Sequence, residues 1–150
     1  MRCGRPVLVV PYIGAVMRGA EPVIGRRIMV AWDAGREAAR AVSDALPLLQ
    51  QAERVDLIVV NAVKGAHRHG PEPGADIAQH LARHDVHVQV DHLQVHDLSP
   101  ADTLLSLLSD RDSDLLVMGA YAHSRMREIV LGGVTRNMLE HMTVPVLMSH

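Results

Sequence analysis

The apolar run at residues 115–118 constrains the fold most, because it is short and lacks the polar alternation of a half-exposed strand. Such a run is typical of a strand covered on both faces, as in a parallel sheet. Gly119 ends the run, and the pair Gly132 and Gly133 opens a later segment with helical spacing. Glycines at a helix start let a ligand approach the backbone, and the unpaired N–H groups of the first turn favour phosphate. The last third therefore predicts strand, loop, helix and strand around an anion site.

Strand and helix patterns alternate along the rest of the chain. Residues 27–33, 55–62 and 86–90 favour strands, and helical periodicity lies between them. The clearest helix start is Ser99-Pro100-Ala101-Asp102, with Ser as N-cap, Pro at the first position and an acid three residues after the cap. The order β-α-β-α-β-α-β-α-β with short turns predicts an α/β fold with a doubly wound parallel sheet and right-handed crossovers.

Two helices carry more specific expectations. Pro47 lies inside the first helical pattern and predicts a kink or an early end, because proline removes a helix hydrogen bond. The second helix is expected over residues 75–84, with its apolar side chains, Ala82 among them, facing inward.

The N-terminus repeats the pattern of the C-terminal strand. Residues 5–11 resemble residues 144–148, since in both a proline introduces an apolar run. We interpret residues 5–11 as the final strand of a preceding domain; an ordinary N-terminal edge strand is the alternative. Residues 12–25 hold scattered glycine and proline without a period and predict a linker. The predicted organisation is an N-terminal strand and linker at 1–25 and one domain at 26–150.

Composition excludes several classes of protein. The single cysteine, Cys3, excludes an internal disulfide and a cysteine-based metal cluster. Lys64 is the only lysine and the net charge is -2, so a nucleic-acid partner is not expected. The ten histidines form no His-Glu-x-x-His motif, and no metal site is predicted. The sequence has no signal-peptide or membrane-spanning pattern. We therefore expect a cytoplasmic location and no membrane partner.

The last third also resembles the universal stress protein family, whose nucleotide-binding members read Gly-x-x-Gly, nine residues, then Gly-Ser or Gly-Thr. Gly119 fills the first position, and Gly132 follows the nine residues 123–131. Ala122 replaces the second glycine, and Gly133 replaces the hydroxyl residue. The resemblance implies strand order 3-2-1-4-5 in an adenine nucleotide alpha hydrolase-like, Rossmann-like fold, here with an extra N-terminal strand. In that order a crevice lies beyond the carboxyl ends of the first and fourth strands.

The resemblance implies a set of contacts to adenine nucleotide, with ATP as the expected ligand and magnesium as its companion ion. These contacts map onto Ala31, Trp32, Asp33, Ala62, Met118, Gly119, Ala122, Gly132, Gly133, Val134 and Thr135. Asp33 would accept hydrogen bonds from ribose or adenine, or would instead cap the following helix turn. His123, Arg125 and Arg136 would add positive charge around phosphate, or would be solvated surface charges. Trp32 is large enough to fill the adenine slot.

Two functional hypotheses follow. The first is a cytoplasmic stress-response protein that binds ATP, and the second is a dimerising interaction module of the same family without nucleotide. A dedicated enzyme is not expected, because neither a Gly-x-Ser-x-Gly nor a Gly-x-x-x-x-Gly-Lys motif occurs. We expect a homodimer through the terminal strands, residues 5–11 and 144–149, with the N-terminal strand antiparallel to the C-terminal one.

Overall fold

The computed structural model describes residues 5–12, 17–18, 21–22, 24–61, 72–95, 97–120 and 133–150. In these ranges the strands are β1 (Val7–Val9), β2 (Met17–Arg18), β3 (Glu21–Pro22), β4 (Arg27–Ala31), β5 (Arg54–Val60), β6 (Val88–Leu93), β7 (Leu115–Gly119) and β8 (Val146–Ser149). The helices in the same ranges are α1 (Arg36–Leu49), α2 (Ala75–Ala82), α3 (Pro100–Asp110) and α4 (Gly133–His141). None of these helices combines the length and apolar character that crossing a membrane requires.

The main sheet has the order β1-β8-β7-β4-β5-β6. The five strands from β4 onward are parallel and follow the predicted order 3-2-1-4-5, which confirms the α/β doubly wound fold. β4 lies between β5 and β7, so the chain winds outward from it in both directions. The carboxyl ends of β4 and β7 are therefore the switch point, where ligands bind in sheets of this kind.

β1 extends this sheet at the C-terminal edge. It pairs antiparallel with β8 within the chain, with Val7 opposite Met148 and Val9 opposite Val146. The predicted antiparallel pairing of the two terminal strands is present, and β1 covers the edge that β8 would otherwise expose. The predicted linker at 12–25 contains a short hairpin, in which β2 pairs with β3. The sequence did not predict this pairing, because two residue pairs carry too little periodicity to be seen.

Side chains from the two faces of the sheet enter two separate cores. Ile28 and Val30 of β4 pack in the core with α1 and α2, whereas Met29 packs in the core with α3 and α4. All three are at most 1% exposed. A strand covered on both faces has no reason to alternate, which explains the continuous apolar runs in the sequence.

Two local expectations need correction. α1 contains Pro47 and ends at Leu49, so the proline does not end the helix at once; it removes one backbone hydrogen bond, and only two residues of the helix follow it. α2 ends at Ala82, earlier than expected, and Ala82 is exposed because the chain turns away there toward β6. The helix start at Ser99 is confirmed: its hydroxyl oxygen accepts the Asp102 N–H at 3.1 Å.

A buried carboxylate fixes the start of the central strand. Asp114 is 2% exposed, and its Oδ1 accepts the N–H of Gly25 at 2.8 Å. Its oxygens also accept the N–H groups of Arg26 and Arg27, each at 3.2 Å. Gly25 adopts φ +88°, a left-handed conformation that aims successive N–H groups at one carboxylate. Asp114 thus joins the entry of β7 to the entry of β4.

Candidate functional site

A cavity of about 440 Å³ opens at the carboxyl ends of β4, β5 and β7. The first turns of α1, α3 and α4 complete its wall. Its lining residues are Ala31, Trp32, Asp33, Glu37, Ile58, Val60, Pro100, Leu104, Met118, Gly119, Gly133, Val134 and Thr135. The volume falls within the usual range of small-molecule sites, ~300–1,000 Å³.

Most of the residues implied by the family resemblance line this one cavity. They are Ala31, Trp32, Asp33, Met118, Gly119, Gly133, Val134 and Thr135. The remaining three, Ala62, Ala122 and Gly132, lie outside the residues that the structure describes, as do His123 and Arg125. The close approach follows from topology, since β4 and β7 are neighbours and their carboxyl ends share one edge.

Sequence reasoning missed five lining residues: Glu37, Ile58, Val60, Pro100 and Leu104. Glu37 carried no periodic signal, because Asp33 lies in the turn before α1 and not on the helix; Glu37 reaches the wall because the first turn of α1 packs beside Gly119. Ile58 and Val60 share a face at the end of β5, as alternate strand residues do. Leu104 looked like an ordinary core residue, and it is one, with 3% exposure.

The cavity wall is mostly apolar. Met118 and Ile58 are 5% and 1% exposed and belong to the core that α3 and α4 cover. Trp32 lies on the opposite side, half-buried, and packs against the core formed with α1 and α2. The indole is therefore one wall of the cavity, and open volume remains beside it.

Asp33 has a local role as well as a place at the cavity. Its Oδ1 accepts the N–H of Gly35 at 2.8 Å, which stabilises the turn into α1. Ala34 between them adopts φ 56°, as such a tight turn requires. A carboxylate offers about four acceptor positions. The bond to Gly35 therefore leaves capacity for a ligand donor.

The two described glycines of the site differ in their surroundings. A Cβ added to Gly119 would lie 2.6 Å from the Ala38 nitrogen, so the packing of α1 on β7 requires glycine here. Among the described residues, a Cβ added to Gly133 would meet nothing within 4 Å. Gly133 begins α4, whose first-turn N–H groups lack helical acceptors and favour an anion. Gly133, which stands where the family has a hydroxyl residue, therefore has room for a side chain as far as the described residues show, at a helix end of the kind that suits an anion.

Glu37 lies in the first turn of α1 and is the second acid of the cavity wall. Its side chain is 13% exposed, and its ion pair with Arg36 is long, at 3.7 Å. Within the residues that the structure describes, Glu37 accepts no hydrogen bond.

Arg136 does not line the cavity. It forms an ion pair with Glu140, with Nε and Oε1 2.8 Å apart on the exposed face of α4. The hydrogen bond to Glu140 raises the pKa of Arg136, and the same bond lowers the pKa of Glu140. The surface ion pair, and not an anion, accounts for the position of this guanidinium. Among the described lining residues no side chain is cationic.

The histidines do not assemble into a metal centre in the described part of the chain. His80 and His84 pack edge to face on α2, with ring centroids 4.7 Å apart. No third histidine, cysteine or acid among the described residues joins a group able to hold a metal ion.

Comparison with known proteins places the chain in a family. Residues 25–150 match the model of the universal stress protein family. Universal stress protein Slr1230 of Synechocystis is 39% identical over 46 residues, which are 31% of this chain and only 16% of that relative. The chain thus spans a small part of that protein.

Solved structures agree with the fold. Universal stress protein UspA from Lactobacillus plantarum superposes with a TM-score of 0.66 at 17% identity, over 85% of this chain and 99% of that one. The universal stress protein from Archaeoglobus fulgidus in complex with dAMP gives a TM-score of 0.58 at 20% identity, over 83% and 97%. By the match over residues 25–150, the chain belongs to the universal stress protein family.

Proposed function

We propose that the chain binds an adenine nucleotide in the cavity between the ends of β4 and β7 and acts as a stress-response protein in the cytoplasm. The proposal concerns binding and includes no catalytic step. One observation carries it: Asp33 and the first turn of α4 line the same cavity of about 440 Å³. A hydrogen-bond acceptor and an anion-binding helix end are the two groups that a nucleotide needs at its opposite ends.

The contacts to the nucleotide divide between the two sides of the cavity. Asp33 would accept donors of the base or ribose, and the N–H groups of the first turn of α4 would hold phosphate, with the Thr135 hydroxyl beside them. Met118, Ile58 and Trp32 would pack against the adenine. The relative solved with dAMP supports this class of ligand. ATP with magnesium is the ligand that the family resemblance favours.

A charge at the start of α4 tests the proposal. Gly133→Asp places a carboxylate beside the proposed phosphate, where no described residue would obstruct its Cβ, and an acid in a first turn suits the helix dipole and preserves the fold. We expect it to weaken nucleotide binding at least tenfold in calorimetric titration, with Gly133→Asn as the neutral control. Equal affinities for Gly133→Asp and Gly133→Asn would contradict the proposal, as would wild-type protein that binds neither AMP nor ATP.

A second candidate function is an interaction module that carries no nucleotide. The hydrogen bond from Gly35 to Asp33 favours it, because the carboxylate then has a structural use without any ligand. Mass spectrometry of small molecules released from the purified full chain separates the two candidates. Nucleotide in that fraction supports the first, whereas a ligand-free protein that also fails to bind added nucleotide supports the second.

We further propose a homodimer formed through the terminal strands, residues 5–11 and 144–149. β1 is the outer strand of the sheet; Leu8 on it and Val10 directly after it are 47% and 55% exposed. Deleting residues 1–14 would uncover β8 and change either the solubility or the assembly size, measured by light scattering after gel filtration. A deletion variant with unchanged size and solubility would contradict this assembly.

A further inference from the structure

We propose that Glu37 makes the cavity selective for adenine nucleotides with a single phosphate over metal-free triphosphates. This inference rests on the proposed function, because it concerns which nucleotide the same cavity takes. Glu37 is not among the residues that the family resemblance implies, and its place in the site comes from the structure alone.

The first support is the unfavourable position of the carboxylate. Glu37 is 13% exposed in a cavity whose wall is mostly apolar, and the cation paired with it among the described residues is the Arg36 guanidinium at 3.7 Å. Arg36 itself is 86% exposed, so it neutralises Glu37 weakly. Burying a carboxylate without hydrogen bonds is costly. A ligand that presents hydroxyl or amine donors to Glu37 would relieve this cost, whereas a ligand that presents negative charge would add to it.

The second support is where Glu37 lies. A Cβ added to Gly119 would be 3.0 Å from the Cβ of Glu37, so Glu37 stands directly beside the end of β7. Asp33, in the turn that precedes α1, lines the same cavity. The first turn of α4 forms another part of the wall. The cavity therefore has two acids suited to donors and a helix end suited to one anionic group.

The third support is the charge of the candidate ligands. AMP carries about two negative charges at neutral pH and ATP about four. A site of about 440 Å³ keeps the bound phosphates and the two carboxylates close together, where salt screens them little at a Debye length of about 8 Å. At an effective dielectric constant of about 20, each added unit charge a few ångströms from a carboxylate weakens binding roughly tenfold or more. A single phosphate at α4 adds the least negative charge to this cavity, and each further phosphate of a chain adds more charge to the same enclosed volume.

The test is calorimetric titration of the full chain with adenosine, AMP and ATP in EDTA. We expect AMP to bind at least tenfold more tightly than ATP in the wild type. Glu37→Gln keeps the shape and removes the charge, and we expect it to reduce that ratio to threefold or less by tightening ATP binding. Glu53→Gln is the matched control, because it removes the same charge from an exposed position at the start of β5 and should leave the ratio unchanged.

The outcomes separate this inference from the proposed function. Wild-type protein that binds AMP and metal-free ATP equally, or a Glu37→Gln variant with the wild-type ratio, would overturn the selectivity and leave nucleotide binding intact. Failure of all three ligands to bind would overturn both. Glu37→Asp retains the charge and should keep the preference for AMP, which guards against a folding defect in Glu37→Gln. AMP binding that requires added magnesium would also overturn the inference, because the carboxylates would then hold a cation.

Discussion

Gly119, the last residue of β7, lies directly against the backbone nitrogen of Ala38 in the first turn of α1. A Cβ on Gly119 would stand 2.6 Å from that nitrogen, closer than any real Cβ contact. The first turn of α1, which carries Glu37, therefore packs directly on the end of β7. Packing of the fold and shape of the cavity depend on the same glycine.

Gly119→Ala should destabilise the protein by about 1–3 kcal/mol, the usual cost of overpacking. The two nearest atoms that a new methyl group would meet are backbone atoms of Ala38 and Glu37, and the third is the Glu37 Cβ; none of these can rotate away as the end of a side chain can. Urea unfolding measures the change. Gly133→Ala is the control and should unfold at the wild-type midpoint or slightly later. Equal stability of Gly119→Ala and wild type would contradict the packing.

Gly133→Ser should strengthen AMP binding about tenfold, because a hydroxyl would add one hydrogen bond to a charged phosphate, worth about 1.5–3 kcal/mol. The described surroundings offer the room, since none of the described residues lies within 4 Å of a Cβ at this position. Calorimetric titration against Gly133→Ala separates the hydroxyl from the added methylene. Identical affinities for the serine and alanine variants would exclude a phosphate at this end of α4.

Asp114→Asn should lower the free energy of unfolding by about 3 kcal/mol. The amide has one acceptor oxygen and no charge, whereas the carboxylate holds the N–H groups of Gly25, Arg26 and Arg27 with both oxygens. Asp110→Asn, at an exposed position at the end of α3, is the control and should change stability by less than about 0.5 kcal/mol. The midpoints of urea unfolding at pH 7 check both. A wild-type midpoint for Asp114→Asn would show that the buried charge is dispensable.

The start of α3 should respond to acid. The hydrogen bond from the Ser99 hydroxyl, 2.6 Å from Oδ2, holds the pKa of Asp102 below its usual value. A depressed pKa in the folded state means that the ionised group stabilises the fold above its unfolded pKa, and that this contribution is lost as the pH falls below about 4. Ser99→Ala should raise the pKa of Asp102 toward the ordinary range, as followed by NMR titration. Ser99→Thr keeps the hydroxyl and should keep the pKa low; an unchanged pKa in Ser99→Ala would contradict the cause.

Local patterns in the sequence were enough to predict most of the strands and helices of the fold. The continuous apolar run at β7 predicted a strand buried on both faces, and the cap at Ser99 predicted where α3 begins. The proline-led run at the N-terminus predicted a strand matching β8, and the two do pair. These features are readable because periodicity, capping and proline geometry act over a few neighbouring residues. The short β2–β3 hairpin was missed, since two residue pairs have no period.

Tertiary structure alone decided what each residue of the cavity does. Gly119 and Gly133 are the same residue type in the sequence. The packing of α1 requires glycine at position 119, whereas no described residue packs close enough to require it at position 133. Glu37 lines the cavity because α1 begins beside the end of β7. Asp114 accepts the N–H of Gly25, which is 89 positions away in the chain. Arg136, expected near phosphate, pairs instead with Glu140 one turn along α4. Such outcomes depend on how crossovers bring distant segments together, and no local pattern in the chain encodes those distances.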